Sequence, residues 1–335
     1  MKRIVTLSGS SLLTLITACR PSPDAPTASV APVALARSAA PAGPPRPEVV
    51  ASVTPPAAAS VAAPSAAVDW AKAPYPWLAG AAPDAPGPVE PLTRRYAPPD
   101  GFTRVEVAPE SFGAWLRGLP LTAAGTPVRT YRGAVLRETN HPYVASVVAI
   151  DVGTADLQQC ADSVIRLHAE WRWSTGDRAE SYRASSGTAM PFARWARGER
   201  LVARGNTIDW TQSGTADDSH ASFRRYLDAV FTWANTGSLS RDAARVKASD
   251  LRPGDFFVMP GSPGHAVLVL DLARAPDGRR RALLGQGFMP AQSFHVLKSA
   301  SGSEWFAVDE AQAEVTTPFW EPFPWSTLRR LDGSS

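Results

Sequence analysis

Between residues 255 and 297 four short apolar segments follow one another: "DFFVM", "HAVLVLDL", "RALLGQGF" and "SFHVL". Turn signals separate them, among them "PGSPG" and "APDGRR". Runs of this length bounded by proline and glycine read as strands joined into an antiparallel meander. Upstream the periodicity is helical. In "PESFGAWLRGLPL" the residues Phe112, Trp115, Leu116 and Leu119 share one face, and Pro120 stops the turn. A longer helix is expected from Leu157 to about Trp173. Another runs from about Ser219 to Ala234, with Phe223, Tyr226, Leu227, Val230 and Phe231 on one stripe and Thr236-Gly237 closing it. "PPDGFTRVEV", "VRTYRG" and "YVASVVAIDVG" read as further strands. No internal repeat is present. Helices first and a meander afterwards define an α+β fold, not a doubly wound sheet.

The ends set the compartment. Lys2 and Arg3 precede the uncharged run "IVTLSGSSLLTLITAC", which is too short for a permanent span and has the form of a secretory signal over residues 1–18. The junction "ITAC" resembles the bacterial lipobox, which implies lipidation of Cys19. Arg20 at the next position implies release towards the outer membrane, facing the periplasm. From Arg20 to about Val68 alanine and proline dominate, and such a segment lacks the large apolar residues of a core. Residues 19–69 are therefore expected to be a tether, or equally a plain disordered spacer. Residues 70–335 are expected to fold as one domain, firm from about Pro98, and about 240 residues suffice for a single core. The formal net charge of +3 includes Lys2 and Arg3. With no basic stripe, nucleic acid is excluded as an expected partner.

The chain has two cysteines. With Cys19 as the lipid site, Cys160 has no partner for a disulfide, and a lone thiol outside the cytoplasm invites a functional reading. In "GTADLQQCADSVIRLHAEW" Asp156 is the expected N-cap and Gln159 its capping-box partner, which puts Cys160 in the first helical turn. Unpaired N–H groups and the positive end of the helix dipole favour a thiolate there. Cys160 is in phase with Val164, Leu167 and Trp171, as a structural cysteine would also be.

Five histidines could serve that thiol. His168 is two turns along the same helix, about 12 Å away at ~1.5 Å per residue. His141 and His220 read as solvated or capping residues, and His295, on an alternating segment, stays a candidate. His265 is best placed, opening a strand behind Gly264, which permits close backbone approach. Centring the following hairpin on Pro276-Asp277 sets Val267 opposite Gln286 and puts His265 and Gln286 on one sheet face, whereas an odd-length loop or a bulge would separate them. Gln286 could then accept from the imidazole Nδ1–H and leave Nε2 for the thiol. A Gln286 satisfied by backbone is the alternative.

This order of cysteine at a helix start, histidine opening a strand and polar residue on the next strand resembles the papain-like NlpC/P60 and CHAP peptidoglycan hydrolases. "PGDFFVM…GHAVLVLD" is similar to their histidine segment, although "QQCADS" stands where those enzymes carry D-C-S/G. A broader resemblance, over residues 98 to 300, is to an uncharacterised bacterial lipoprotein family, the domain of unknown function 4846. It is carried by "PPDGFTRV", "SFGAWLRGLPL", "IDVGTADLQQCADSVIRLHAEW", "SPGHAVLVLDLA" and "QGFMPAQSFHVL".

The resulting expectation is an envelope-anchored papain-like cysteine hydrolase cleaving an amide bond, in a peptide or a peptidoglycan stem. Cys160 would be the nucleophile, His265 the base and Gln286 the orienting residue. The Cys160 backbone N–H, with Gln158 or Gln159, would hold the oxyanion. The alternative is a non-catalytic envelope module binding glycan, peptide or a protein partner, for which the 11 Trp residues are suited. "FWEPFPW" is the Trp-bearing segment expected to be exposed. Neither metal-ligand spacing nor a phosphate-cradling glycine loop occurs, so no cofactor is expected.

Overall fold

A computed structural model describes residues 68–80 and 86–333. The leader assigned to 1–18, Cys19 and the tether assigned to 19–69, apart from its last two residues, lie outside the described residues. Nine strands form the main sheet, with every pairing antiparallel. In chain order these are β1 (Thr103–Arg104), β2 (Val144–Val147), β3 (Ala244–Arg245), β4 (Phe256–Met259), β5 (His265–Arg274), β6 (Arg280–Gln286), β7 (His295–Leu297), β8 (Trp305–Val308) and β9 (Leu328–Arg330). Their lateral order is β3-β9-β4-β5-β6-β7-β2, with β8 paired to β6 and β1 to β5. The four apolar segments are thus the consecutive neighbours β4 to β7. The chain is a mixed α and β fold with antiparallel sheets.

The helices are α1 (Leu92–Arg95), α2 (Phe112–Arg117), α3 (Cys160–Ser174), α4 (Phe192–Ala196), α5 (His220–Trp233) and α6 (Thr236–Asp242). Side chains on β5 alternate between two cores, as a strand covered on both faces requires. Ala266, Leu268 and Leu270 join Ala161, Val164, Ile165 and Leu167 of α3 in one cluster. Val267 and Val269 join Phe257, Leu284, Leu297 and Phe323 in the other. The α5 stripe of Phe223, Tyr226, Leu227, Val230 and Phe231 is buried as its periodicity requires.

Several local expectations are corrected. The N-cap of α3 is Gln159, not Asp156. Asp156 Oδ1 instead accepts from Ala291 N at 2.7 Å and from Gln159 Nε2 at 3.0 Å. Residues 155–159 turn through short-range backbone bonds, Leu157 N to Ala155 O and Gln159 N to Leu157 O, so the helix starts three residues later. Asp162 completes that start by accepting the Gln159 backbone N–H at 3.2 Å. Thr236-Gly237 does not close α5 but opens α6, whose N-cap Asn235 accepts from Ser238 N. Within "VRTYRG" only Val128–Arg129 is strand, paired with Val135–Arg137 in a separate ribbon. "FWEPFPW" is not an exposed surface stripe: Phe323 is fully buried, and Phe319 and Trp320 are half-buried.

Candidate active site

The hairpin that carries the site is built differently from the expectation and reaches the same register. The turn between Arg274 and Arg280 has an odd number of residues, 275–279, which alone would put His265 and Gln286 on opposite faces. A bulge between Val269 and Asp271 adds a second one-residue shift. The two shifts cancel, and Leu268 pairs with Gly285. Val267 is therefore level with Gln286, and His265 and Gln286 share a face.

The two side chains meet there. His265 Nε2 lies 2.8 Å from Gln286 Oε1, and both residues are buried. Nε2, not Nδ1, makes the contact, so the nitrogen left over is Nδ1. That atom is buried and has no hydrogen-bond partner. Aromatic rings enclose the imidazole, with centroids at 4.8 Å for Phe288, 4.9 Å for Trp320 and 6.0 Å for Phe323. Burial pushes the His265 pKa down to about 4, against a smaller upward pull from the Gln286 hydrogen bond. The ring is neutral at physiological pH.

Gly287 brings the cysteine helix to this strand end, and Gly264 lets the start of α6 and the end of β4 close on it. A Cβ on Gly264 would stand 2.3 Å from Thr236 Oγ1 and 2.6 Å from Met259 O. One on Gly287 would stand 2.2 Å from Ser163 Oγ and 3.0 Å from Gln159 O. Only glycine permits these approaches. Beyond the Leu268–Gly285 pair β6 no longer accompanies β5, and the sulfur of Cys160 takes over the vacated edge. Its S–H donates to Gly264 O at 3.7 Å, and the Ala266 backbone N–H points at the sulfur. Cys160 therefore touches the backbone on both sides of His265. The imidazole itself lies on the strand face shared with Val267 and Val269, and no hydrogen bond joins it to the thiol.

The thiol is not poised as a thiolate. Burial pushes the Cys160 pKa up to about 11, with the Asp162 carboxylate adding to the rise. The backbone N–H groups of Ala266, Ala161 and Cys160 pull the other way and do not prevail. The helix N-terminus was expected to depress the pKa, but desolvation is the larger effect here. Asp162 is itself pushed up to about 8 by burial, and its Oδ1 has no partner.

Neither glutamine proposed for the oxyanion offers a free amide. Gln158 is buried, accepts from Arg166 Nη1 at 2.9 Å and donates to Asp151 O at 3.3 Å. Gln159 Nε2 donates to Asp156. Arg166, fully buried, holds Glu170 at 2.8 Å and Asp151 at 3.0 Å, so Gln158 belongs to a structural ion network. The backbone N–H groups of Cys160 and Ala161, at the start of α3, are directed at the sulfur.

Phe319 and Trp320 escaped the sequence reading as parts of this site, whereas His295, a candidate there, joins it beside Gln286. His295 pairs across from Gln286, with its Nε2 3.5 Å from Gln286 Nε2. Phe319, at φ 73°, is the one non-glycine residue with a positive φ among the described residues, and its ring lies 6.3 Å from that of His295. Trp320 covers His265. A cavity of about 580 Å³, lined by Met259, Pro260, Pro263, Gly264, Phe319, Trp320 and Glu321, opens beside Gly264. Proline flanking in "FWEPFPW" was the available signal, misread as exposure. A second cavity, of about 640 Å³, lies at the far end of α3 beside Trp171.

No group of three or more potential metal ligands occurs among the described residues, and none of their helices is long and apolar enough to cross a membrane. The features define a mixed α and β domain in which a helix-borne cysteine abuts the strand end that carries a buried His–Gln pair. The chain belongs to the family described as domain of unknown function (4846), whose model matches residues 92–330. That match is wider than the 98 to 300 read from the motifs. No curated protein matches the chain, and no solved structure does.

Proposed function

We propose that this protein is a papain-like cysteine hydrolase that cleaves an amide bond, in a peptide or a peptidoglycan stem. The observation that carries the reading is the buried His265–Gln286 bond, which leaves Nδ1 unpartnered while the flanking Gly264 and Ala266 backbone holds the Cys160 sulfur. In this reading His265 Nδ1 takes the thiol proton as Sγ attacks the substrate carbonyl carbon. The backbone N–H groups at the start of α3 stabilise the oxyanion. His265 returns its proton to the leaving amine as the C–N bond breaks. Water, deprotonated by His265, then releases the acid from the thioester. Because the resting thiol and imidazole are both neutral, proton transfer accompanies attack and no ion pair stands ready. The 580 Å³ cavity beside Gly264 is the natural seat for the acyl side of the substrate, and its apolar lining with one carboxylate, Glu321, suits an apolar group next to a cation. Lipid attachment at Cys19 would hold the enzyme at the envelope.

The elevated Cys160 pKa and the absence of an S–N hydrogen bond favour a second reading, a binding module on the same scaffold. One experiment separates them: incubation of the full chain with peptidoglycan stem peptides, read by mass spectrometry for cleaved product and for an acyl adduct on Cys160. The hydrolase reading predicts both, with cleavage lowered by about 10³-fold or more in Cys160→Ala and His265→Ala. Binding without cleavage or adduct would establish the module instead.

A further inference from the structure

His295 Nδ1 lies 2.9 Å from the Ser293 carbonyl oxygen. A carbonyl only accepts, so this nitrogen carries a proton. The ring is buried, and that burial, with Arg137, His265 and His141 as the cationic or titratable neighbours, disfavours a second proton. Nε2 of His295 is therefore bare. The atom of Gln286 that faces it, at 3.5 Å, is the amide nitrogen, which donates to that lone pair. The amide oxygen must then face His265 Nε2, at 2.8 Å, and that contact requires a proton on Nε2. A neutral imidazole protonated at Nε2 has a bare Nδ1. Reversing the Gln286 amide would set its oxygen against the bare nitrogen of His295. It would also leave a buried Nδ1–H on His265 without an acceptor.

We propose that His295 is a positioning residue: anchored on the Ser293 carbonyl, it fixes which end of the Gln286 amide faces His265, and so holds His265 in the tautomer with a bare Nδ1. The chain Ser293 C=O, His295, Gln286, His265 runs in one direction, and every hydrogen in it is determined by the carbonyl at its end. Its consequence for catalysis rests on the hydrolase reading, because a bare Nδ1 is what a general base for Cys160 needs. The tautomer itself does not rest on that reading.

Tautomers are read directly by long-range ¹H–¹⁵N NMR on the full chain labelled with ¹⁵N-histidine at pH 7. The wild type is expected to show His265 protonated at Nε2 and bare at Nδ1. His295→Phe keeps a ring in the site and removes the acceptor, and both His265 tautomers should then appear. Gln286→Glu places a carboxylate against His295 Nε2, and His295 should take up its second proton at a pH at least one unit above the wild type. Protonation of His265 at Nδ1 in the wild type would overturn the proposal. So would a single Nε2–H tautomer retained in His295→Phe. Should that variant fail to fold, unchanged His295 titration in Gln286→Glu overturns it equally. An inert Cys160 with the expected tautomers would sink the hydrolase reading and leave this inference standing; the reverse pattern would do the opposite.

Discussion

His265 and Gln286 meet at 2.8 Å because two one-residue irregularities in the same hairpin, an odd turn and a bulge, cancel. Either alone would turn Gln286 into the α3 face of the sheet. The bulge also lies beside Asp271, a fully buried carboxylate that Arg104 and Arg117 hold at 2.6 and 2.8 Å. The irregularity is thus tied to an ion-pair anchor within the same strand.

Gln286→Ala should lower stability by about 1–3 kcal/mol, because it leaves the His265 Nε2–H buried among Phe288, Trp320 and Phe323 without an acceptor. Urea unfolding checks this through a lower midpoint at unchanged slope.

Gly264→Ala should destabilise by about 1–3 kcal/mol or more, because the added methyl meets Thr236 Oγ1, Met259 O and the Gly261 nitrogen at 2.3–2.7 Å. Two of the three obstacles are backbone atoms, so no rotamer change relieves them. Thermal unfolding would detect the loss, and an unchanged midpoint would mean that the 260–264 loop shifts freely.

Asp162→Asn should lower the Cys160 pKa, since the Asp162 carboxylate is the charge that raises it and asparagine still offers an oxygen to the Gln159 N–H. The effect belongs to pH above about 8, where Asp162 is ionised in the native protein. Iodoacetamide alkylation of Cys160 between pH 8 and 11 reads it as a faster rate in the variant.

Glu180 gives the clearest pH signature. Both its carboxyl oxygens are buried without a partner, and burial pushes its pKa up to about 7. The folded state then holds a proton that the unfolded chain releases near its ordinary 4.5. The associated stability is present in full below pH 4.5 and is lost as pH rises towards 7. A shift of this size corresponds to about 3 kcal/mol. Glu180→Gln should therefore stabilise the protein at pH 8 by up to about that amount and change little at pH 4, as urea midpoints at the two pH values would show.

The meander, the amphipathic stripes of α2 and α5, and the placing of Cys160 in a first helical turn were legible because each is a periodicity or cap signal acting over neighbouring residues. The shared face of His265 and Gln286 was reached through a hairpin with neither of the irregularities the structure contains. The bulge between Val269 and Asp271 sits beside a buried carboxylate whose partners, Arg104 and Arg117, are distant in sequence. Which imidazole nitrogen meets Gln286 follows from the rotation of the His265 ring among Phe288, Trp320 and Phe323, and those contacts too are distant in sequence. The thiol pKa was misjudged because a helix terminus is visible in sequence whereas depth of burial is not. Gln158 and Gln159 were nominated from proximity to Cys160, while Arg166, Asp151 and Asp156 had already engaged their amides.

The central claim is that His265 serves as the base for Cys160, and trapping of the cysteine by a peptidyl electrophile at pH 7 tests it most directly. The account predicts rapid, stoichiometric labelling of Cys160 in the full chain, slowed by about 10²–10⁴-fold in His265→Ala. Alkylation of the two proteins by iodoacetamide above pH 11 should proceed alike, as a check that both are folded around an accessible sulfur. Equal trapping rates at pH 7 with and without His265 would contradict the account and leave the cysteine as a buried structural residue.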